Sequence, residues 1–330
     1  MHNQISHQQV FRFHNQVIRD LAWSIWGPAL LIHTAPYSEL MSSEFSNNEK
    51  IPDDRSFPLD IGWLQKLDQN PEVLWVYLQH KNTRLLGTYF EALWQFYFSH
   101  HPEFQFCLCN LQVNDSTRTV GEYDVLVTHN NKQNFHIELT CKFYLEWQDN
   151  RQEILWIGPN CGDRLDIKYD KTDVHQLPLL KTETGEMACI EHSFNTVNVK
   201  QIAMWRGASF RTSEWFRVNE WKDDSVLSEW KTDVRILWFI ADKSLWLSPV
   251  TQARDQLKTL PQINLQIHEH FDHSATQNTH YTLMLIALTF NKTERQWQQQ
   301  QRFFITPNNW PYGKLADSAL MPLRPCKPPL

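Results

Sequence analysis

The chain has 330 residues, 42% hydrophobic and 21% charged, with 9 Gly and 16 Pro, an ordinary globular composition with room for two domains or for one domain with extensions. Its 31 Lys and Arg against 37 Asp and Glu leave a net charge of −6, which excludes the broad basic field of a histone-like or ribosomal protein. The opening MHNQISHQQVFRF lacks the cationic start and apolar run of a signal peptide, and the longest apolar stretches, Val234 to Ala241 and Tyr281 to Phe290, are too short to span a bilayer. The expectation is a soluble, cytoplasmic protein with no membrane partner. Six Cys without a CxxC pair read as free thiols in a reducing compartment. The 15 Trp read as core and edge packing before base stacking.

Residues 1–80 read as mostly helical, interrupted by the Ser-, Asn-, Asp- and Pro-rich stretch Ser38 to Pro58, a surface loop. Arg84 to Ser99 is a strongly apolar helix that Pro102 prevents from continuing. Phe104 to Val113 is strand-like, Asp115 to Thr119 is a polar turn, and Val120 to Val127 and Phe135 to Leu145 are strands separated by HNNKQN. A turn at Gly158, Pro159 and Asn160 leads into a helix from Asp163 to Leu177, closed by Pro178. Beyond residue 182 short strands are expected at Gln201 to Phe210, Val234 to Ala241, Tyr281 to Phe290 and Arg302 to Ile305, followed by a proline-rich tail over 321–330. The organisation read from this order is an N-terminal helical region over 1–80, an α/β core over 81–182 and a β-rich region over 183–320. There is no internal repeat.

If the strands flanking HNNKQ pair symmetrically about Asn131, paired residue numbers sum to 262 and Asp124 lies opposite Glu138. Alternation then puts Glu122, Asp124, His136, Glu138, Thr140 and Lys142 on one face, and Tyr123, Val125, Val127, Ile137, Leu139 and Cys141 on the other. The second face is apolar throughout and must pack on a core. Two carboxylates facing each other about 5 Å apart across a ladder repel unless a cation or water screens them. A metal-holding pair and a solvated polar face both satisfy the pattern. Gly87, Glu91 and Gln95 recur at fourfold spacing on the preceding helix, where Gly87 would allow close approach to the sheet and carry Glu91 toward the hairpin, unless Glu91 lies on an exposed stripe. Arg164, Lys168, Thr172 and Gln176 form a polar stripe on the later helix, suited to following a phosphate backbone but diluted by Asp166, Asp170 and Asp173.

A helix bearing Glu, strands bearing Asp and Glu with Lys close behind, and a helix bearing Gln resemble the PD-(D/E)XK nuclease-like superfamily. The strings LLGTYFEALWQFY, GEYDVLV, HIELTCKFYL, WIGPNCGDRLDIK, WLSP and RFFITPNNWP resemble a bacterial domain-of-unknown-function family placed in it. The resemblance covers most of the chain and implies an α-β-β-β-α core with an N-terminal helical region and a β-rich C-terminal extension. It also implies hydrolysis of phosphodiester bonds in DNA or RNA with Mg²⁺ or Mn²⁺. Carried over by position, it implies Glu91, Asp124 and Glu138 as metal-side acids, Lys142 as the cation that orients water or holds phosphate, and Gln176 as an accessory residue. Glu122 is a candidate additional ligand, and Arg164 and Lys168 are candidate nucleic-acid contacts. One departure stands out, because the superfamily's acid two residues before Lys is here Thr140, while Glu138 lies four before Lys142. That spacing spans roughly 13 to 14 Å in a strand. The alternative is a nuclease-like fold that has lost turnover and binds nucleic acid or a protein partner. HEHFDH at 268–273 offers alternating imidazoles and carboxylates, but without a closed ligand set it reads as a solvated loop or strand edge.

Overall fold

The computed structural model describes residues 4–33, 57, 59–149, 151–223, 225, 227–277 and 282–311. The proline-rich tail and nearly all of the expected surface loop from Ser38 to Pro58 lie outside the described residues. The chain divides into two units, one made of Met1–Lys142, Asp170–Ala208 and Lys243–Val250, the other of Phe143–Tyr169, Ser209–Asp242 and Thr251–Leu330. Among the described residues no helix is long and apolar enough to cross a membrane.

In the first unit, helices α1 (His7–Val10), α2 (Gln16–Trp26), α3 (Ile61–Gln69) and α4 (Glu72–Gln79) precede α5 (Leu86–His100). Phe90, Leu93, Trp94, Phe96, Tyr97 and Phe98 of α5 are all buried, so this helix is apolar around most of its circumference and sits inside the core rather than on its rim. Strands β1 (Phe104–Asn114), β2 (Thr119–His129) and β3 (Asn134–Gln148) follow as an antiparallel meander. The turn before β2 is held by the Asp115 carboxylate, which accepts from the backbone N–H groups of Thr117 and Arg118 at 2.6 and 2.9 Å.

β2 and β3 pair as Val125 with Ile137, Leu126 with His136, Val127 with Phe135 and Thr128 with Asn134, the register in which paired numbers sum to 262. Val125, Val127, Phe135, Ile137 and Leu139 pack with α2 and α5 in one core. The opposite face of the hairpin is covered as well. Val113, Tyr123 and Leu126 join Leu179, Cys189 and Phe194 in a second core, the last three contributed by the turn Leu177–Lys181, by helix α7 (Glu183–Glu191) and by the segment behind it. This part of the sheet is therefore covered on both faces, and His136, Glu138 and Thr140 are not a solvated surface.

Strand β5 (Lys200–Phe210) pairs with β3 on its other edge. Gly207 makes that pairing possible, since its φ is +117° and a Cβ there would meet the Lys142 carbonyl oxygen at 1.8 Å. The helix expected from Asp163 to Leu177 is in fact three pieces: α6 (Leu165–Lys171), a π-helical turn Thr172–Gln176 and a 3-10 turn Leu177–Lys181 that contains Pro178. Proline donates no N–H, so a tightened turn accommodates it where an α-helix does not.

The second unit holds the outer half of β3, which pairs with β4 (Ile154–Ile157), and a sheet in the order β6 (Trp215–Arg217), β10 (Gln296–Thr306), β9 (Leu283–Asn291) and β7 (Leu237–Ala241), with β8 (Thr251–Gln252) beside β10. The expected β-rich extension thus contains helices too: α8 (Val218–Trp221), α9 (Ser228–Thr232) and the 18-residue α10 (Leu260–Gln277). HEHFDH lies within α10, where Ile263, Ile267 and Phe271 recur at helical spacing and enter the core of this unit. The polar residues between them mask an apolar stripe of period 3.6, which is why the segment reads as a loop in sequence.

Candidate functional site

The hairpin face that carries Glu138 is enclosed by polar side chains from two other segments, the π-helical turn Thr172–Gln176 and β5. Glu138 is 1% exposed, His136 0% and Thr140 5%. Glu138 Oε1 lies 2.8 Å from His136 Nε2, and Oε2 accepts from Gln176 Nε2 at 2.5 Å. Gln176 is aimed there by the π-helical turn, and Thr172 Oγ1 donates to its Oε1 at 3.0 Å. On the far side of the imidazole, Gln201 Nε2 lies 3.1 Å from His136 Nδ1 and also donates to the Leu177 carbonyl. Because Gln201 donates to Nδ1, the proton of the neutral ring sits on Nε2 and is donated to Glu138.

Burial keeps the ring neutral. Desolvation holds the His136 pKa at about 4, against a smaller opposing pull from the Asp124 carboxylate. The Tyr123 ring meets the imidazole edge-on at 4.9 Å. Thr172, Gln176, Glu138, His136 and Gln201 thus form one chain of hydrogen bonds.

Asp124 is turned differently. Its Oδ2 accepts from the Leu139 backbone N–H at 2.7 Å, so a carboxylate replaces a ladder carbonyl where the β2–β3 register ends at Val125 and Ile137. The neighbouring strand changes parity at the same level. Cys107 and Cys109 pack toward α5, whereas Leu111 and Val113 pack on the opposite core, and Asn110 between them has φ 54°. In β2, Val125 and Val127 face α5 but Tyr123 faces the opposite core.

This reversal corrects two expectations. Tyr123 leaves the apolar face assigned to it, and Glu122 does not share a face with Glu138. Instead Glu122 Oε1 accepts from Asn110 Nδ2 at 3.2 Å, Asn110 Oδ1 accepts from Gln95 Nε2 at 2.5 Å, and Gln95 Oε1 accepts from Lys81 Nζ at 3.0 Å.

Glu91 lies half-buried on α5. A Cβ at Gly87 would meet nothing within 4 Å, so a close approach through that glycine does not occur. Lys142 is half-buried, on the same face of β3 as Glu138 by alternation and two pleats further along. The Arg164, Lys168 stripe is not an open phosphate track. Arg164 is 6% exposed, with its guanidinium on Asp166 at 2.5 Å, and Lys168 is half-buried.

The structure therefore brings Glu138 and Gln176 together, adds His136, Gln201 and Thr172, which the motif reading lacked, and separates Glu122 from them. His136 was legible as a titratable group two residues from Glu138 on one strand face. Gln201 was not, lying 65 residues from its partner.

Among the described residues no group of three or more His, Cys, Asp and Glu is placed to hold a metal ion. Two carboxylates suit a hard cation such as Mg²⁺, which keeps several waters and binds one or two carboxylates together with substrate phosphate. The donor chemistry of Asp124 and Glu138 fits such an ion.

These features define a mixed α/β protein with antiparallel sheets and a buried polar cluster on its central hairpin. The chain belongs to the domain-of-unknown-function family DUF1853, whose model matches residues 19–306. No curated protein and no solved structure matches it.

Proposed function

We propose that the chain is a PD-(D/E)XK-type phosphodiester hydrolase acting on DNA or RNA, with its centre on the hairpin. The observation that supports this reading most is the Gln176 amide on Glu138 at 2.5 Å. It joins the helix behind the strands to the strand acid, the pair that the superfamily resemblance implies. The order α5, β1, β2, β3, β4 and α6, a helix, three strands and a helix with one further short strand before the last helix, supports the same reading. Its bacterial origin belongs to this proposal too.

Asp124 and Glu138 would hold a Mg²⁺ or Mn²⁺ ion, which supplies neutralisation of phosphate charge and a more acidic water. The chain's own residues do the rest. Gln176 and the neutral His136 place donors on the two oxygens of Glu138, which orients the carboxylate. Lys142 supplies a cation on the same strand face, reaching along its four-carbon stem across the longer spacing left by Thr140.

A second reading is favoured by the burial of Glu138. An acid 1% exposed and capped on both oxygens also suits a fold that retains the framework without turnover and binds nucleic acid or protein.

Metal-dependent stability tests the first reading. Mg²⁺ or Mn²⁺ at 100 times its Kd raises stability by about 2.7 kcal/mol, and Asp124→Ala abolishes the gain. Equal shifts in wild type and variant remove the hairpin as the metal site.

A further inference from the structure

The side of β1 that faces α5 carries a feature the hydrolase reading does not use. Cys107 and Cys109 stand two residues apart on one strand face, with sulfurs 3.3 Å from each other. Both are free and half-buried. We propose that Cys107 and Cys109 form a reversible dithiol–disulfide couple, a modification site for peroxides, set directly before the strand reversal at Asn110.

Geometry carries the argument. A disulfide is about 2.05 Å long, so the sulfurs need to close by roughly 1.2 Å, without a search through conformations. Residues i and i+2 of a strand stand roughly 6.8 Å apart at Cα, the upper edge of what a disulfide spans. The bridge is therefore strained and easily reduced, as a regulatory rather than a structural disulfide is.

The surroundings distinguish the two sulfurs. The Cys107 S–H directed at Cys109 and the positive charge of Lys81 favour the Cys109 thiolate, against the opposing effect of burial, while the same contact raises Cys107. Lys81 is held in place by Gln95 at 3.0 Å and by the Tyr77 ring at 5.1 Å.

With hydrogen peroxide as oxidant, the Cys109 thiolate attacks one peroxide oxygen and the O–O bond breaks. The leaving hydroxide takes a proton to become water, and Cys109 is left as a sulfenic acid. The Cys107 sulfur then attacks the Cys109 sulfur. The S–S bond forms, the S–O bond breaks, and the hydroxyl leaves as water with the Cys107 proton. Two electrons pass from the thiol pair to the peroxide, and a dithiol reductant returns them. The bridge pulls on the residue that follows Cys109, which is Asn110, the link between Gln95 and Glu122.

The experiment is thiol mapping of the full-length, folded protein after treatment with hydrogen peroxide and alkylation. Trypsin releases both cysteines in one peptide, Leu85 to Arg118. The expected product is this peptide two hydrogens lighter and unalkylated, restored to two alkylated thiols by dithiothreitol. Cys107→Ser should accumulate dimedone-reactive sulfenic acid at Cys109, and Cys109→Ser should slow oxidation of the remaining thiol at least tenfold. Alkylation of both thiols after saturating peroxide, a bridge to Cys141 or Cys189 instead, or over-oxidation of both sulfurs without a bridge would overturn the proposal. The wild-type map decides alone if a serine variant fails to fold.

Discussion

Glu138 and His136 are both removed from water, and each makes the other tolerable. A buried carboxylate without donors is costly, and a buried imidazolium more so. A neutral imidazole that donates through Nε2 avoids the second cost and offsets the first. Glu138→Ala leaves the His136 and Gln176 N–H groups facing an apolar void, and the expected loss is roughly 3 kcal/mol, readable as a lower urea midpoint at unchanged slope. Glu138→Gln keeps the volume and one acceptor, and should cost less than half as much.

The pH dependence has a definite sign. His136 titrates at about 4 in the folded chain against 6.5 for an ordinary histidine, so between those values only the unfolded state takes up the proton. The His136 share of stability is fully present above pH 6.5, falls as the pH drops toward 4, and is then exhausted, a total of roughly 3 kcal/mol. His136→Gln should flatten that limb of the stability curve, although buried His101, whose pKa is also lowered by desolvation, retains its own contribution. A His136 ring resonance titrating near pH 6.5 in the folded protein contradicts this assignment.

At the scale of elements, the pairing of β2 with β3 was legible because Val125, Val127, Ile137 and Leu139 alternate with polar neighbours, and a slip by one residue would turn them out of the core. The long apolar run of α5 was legible for a similar reason. The reversal in β1 and β2 was not. It depends on Asn110 at φ 54°, a conformation asparagine tolerates more readily than most residues, and on one carboxylate replacing a ladder carbonyl, neither of which disturbs the hydrophobic pattern. The π-helical turn was equally hidden, since Thr172 to Gln176 continue a helical polarity pattern while the turn re-aims Gln176.

Two substitutions test the elements. Gly207→Ala places a methyl where the Lys142 carbonyl lies and at a φ that L-residues avoid, and should cost roughly 3 kcal/mol or more by disrupting the β3–β5 pairing. Trp94→Ala, at a residue 0% exposed, should cost about 3–5 kcal/mol through the cavity it leaves in the α5 core. Melting temperatures close to wild type for either would mean that the local packing is not as described.

At the scale of the whole chain, a net charge of −6 means that any nucleic-acid affinity comes from a local patch and fades steeply with salt. Lys142→Ala should lower the rate far more than the affinity. The most direct test of the hydrolase reading is cleavage of labelled single-stranded, duplex and branched DNA and RNA by the purified full-length protein, with Mg²⁺ or Mn²⁺ and with neither, beside Asp124→Asn and Gln176→Ala. Metal-dependent cleavage of at least one substrate is expected, abolished in Asp124→Asn and reduced in Gln176→Ala. Intact substrates throughout, with metal binding to wild type established separately, would contradict it and leave the buried Glu138 cluster to a binding protein.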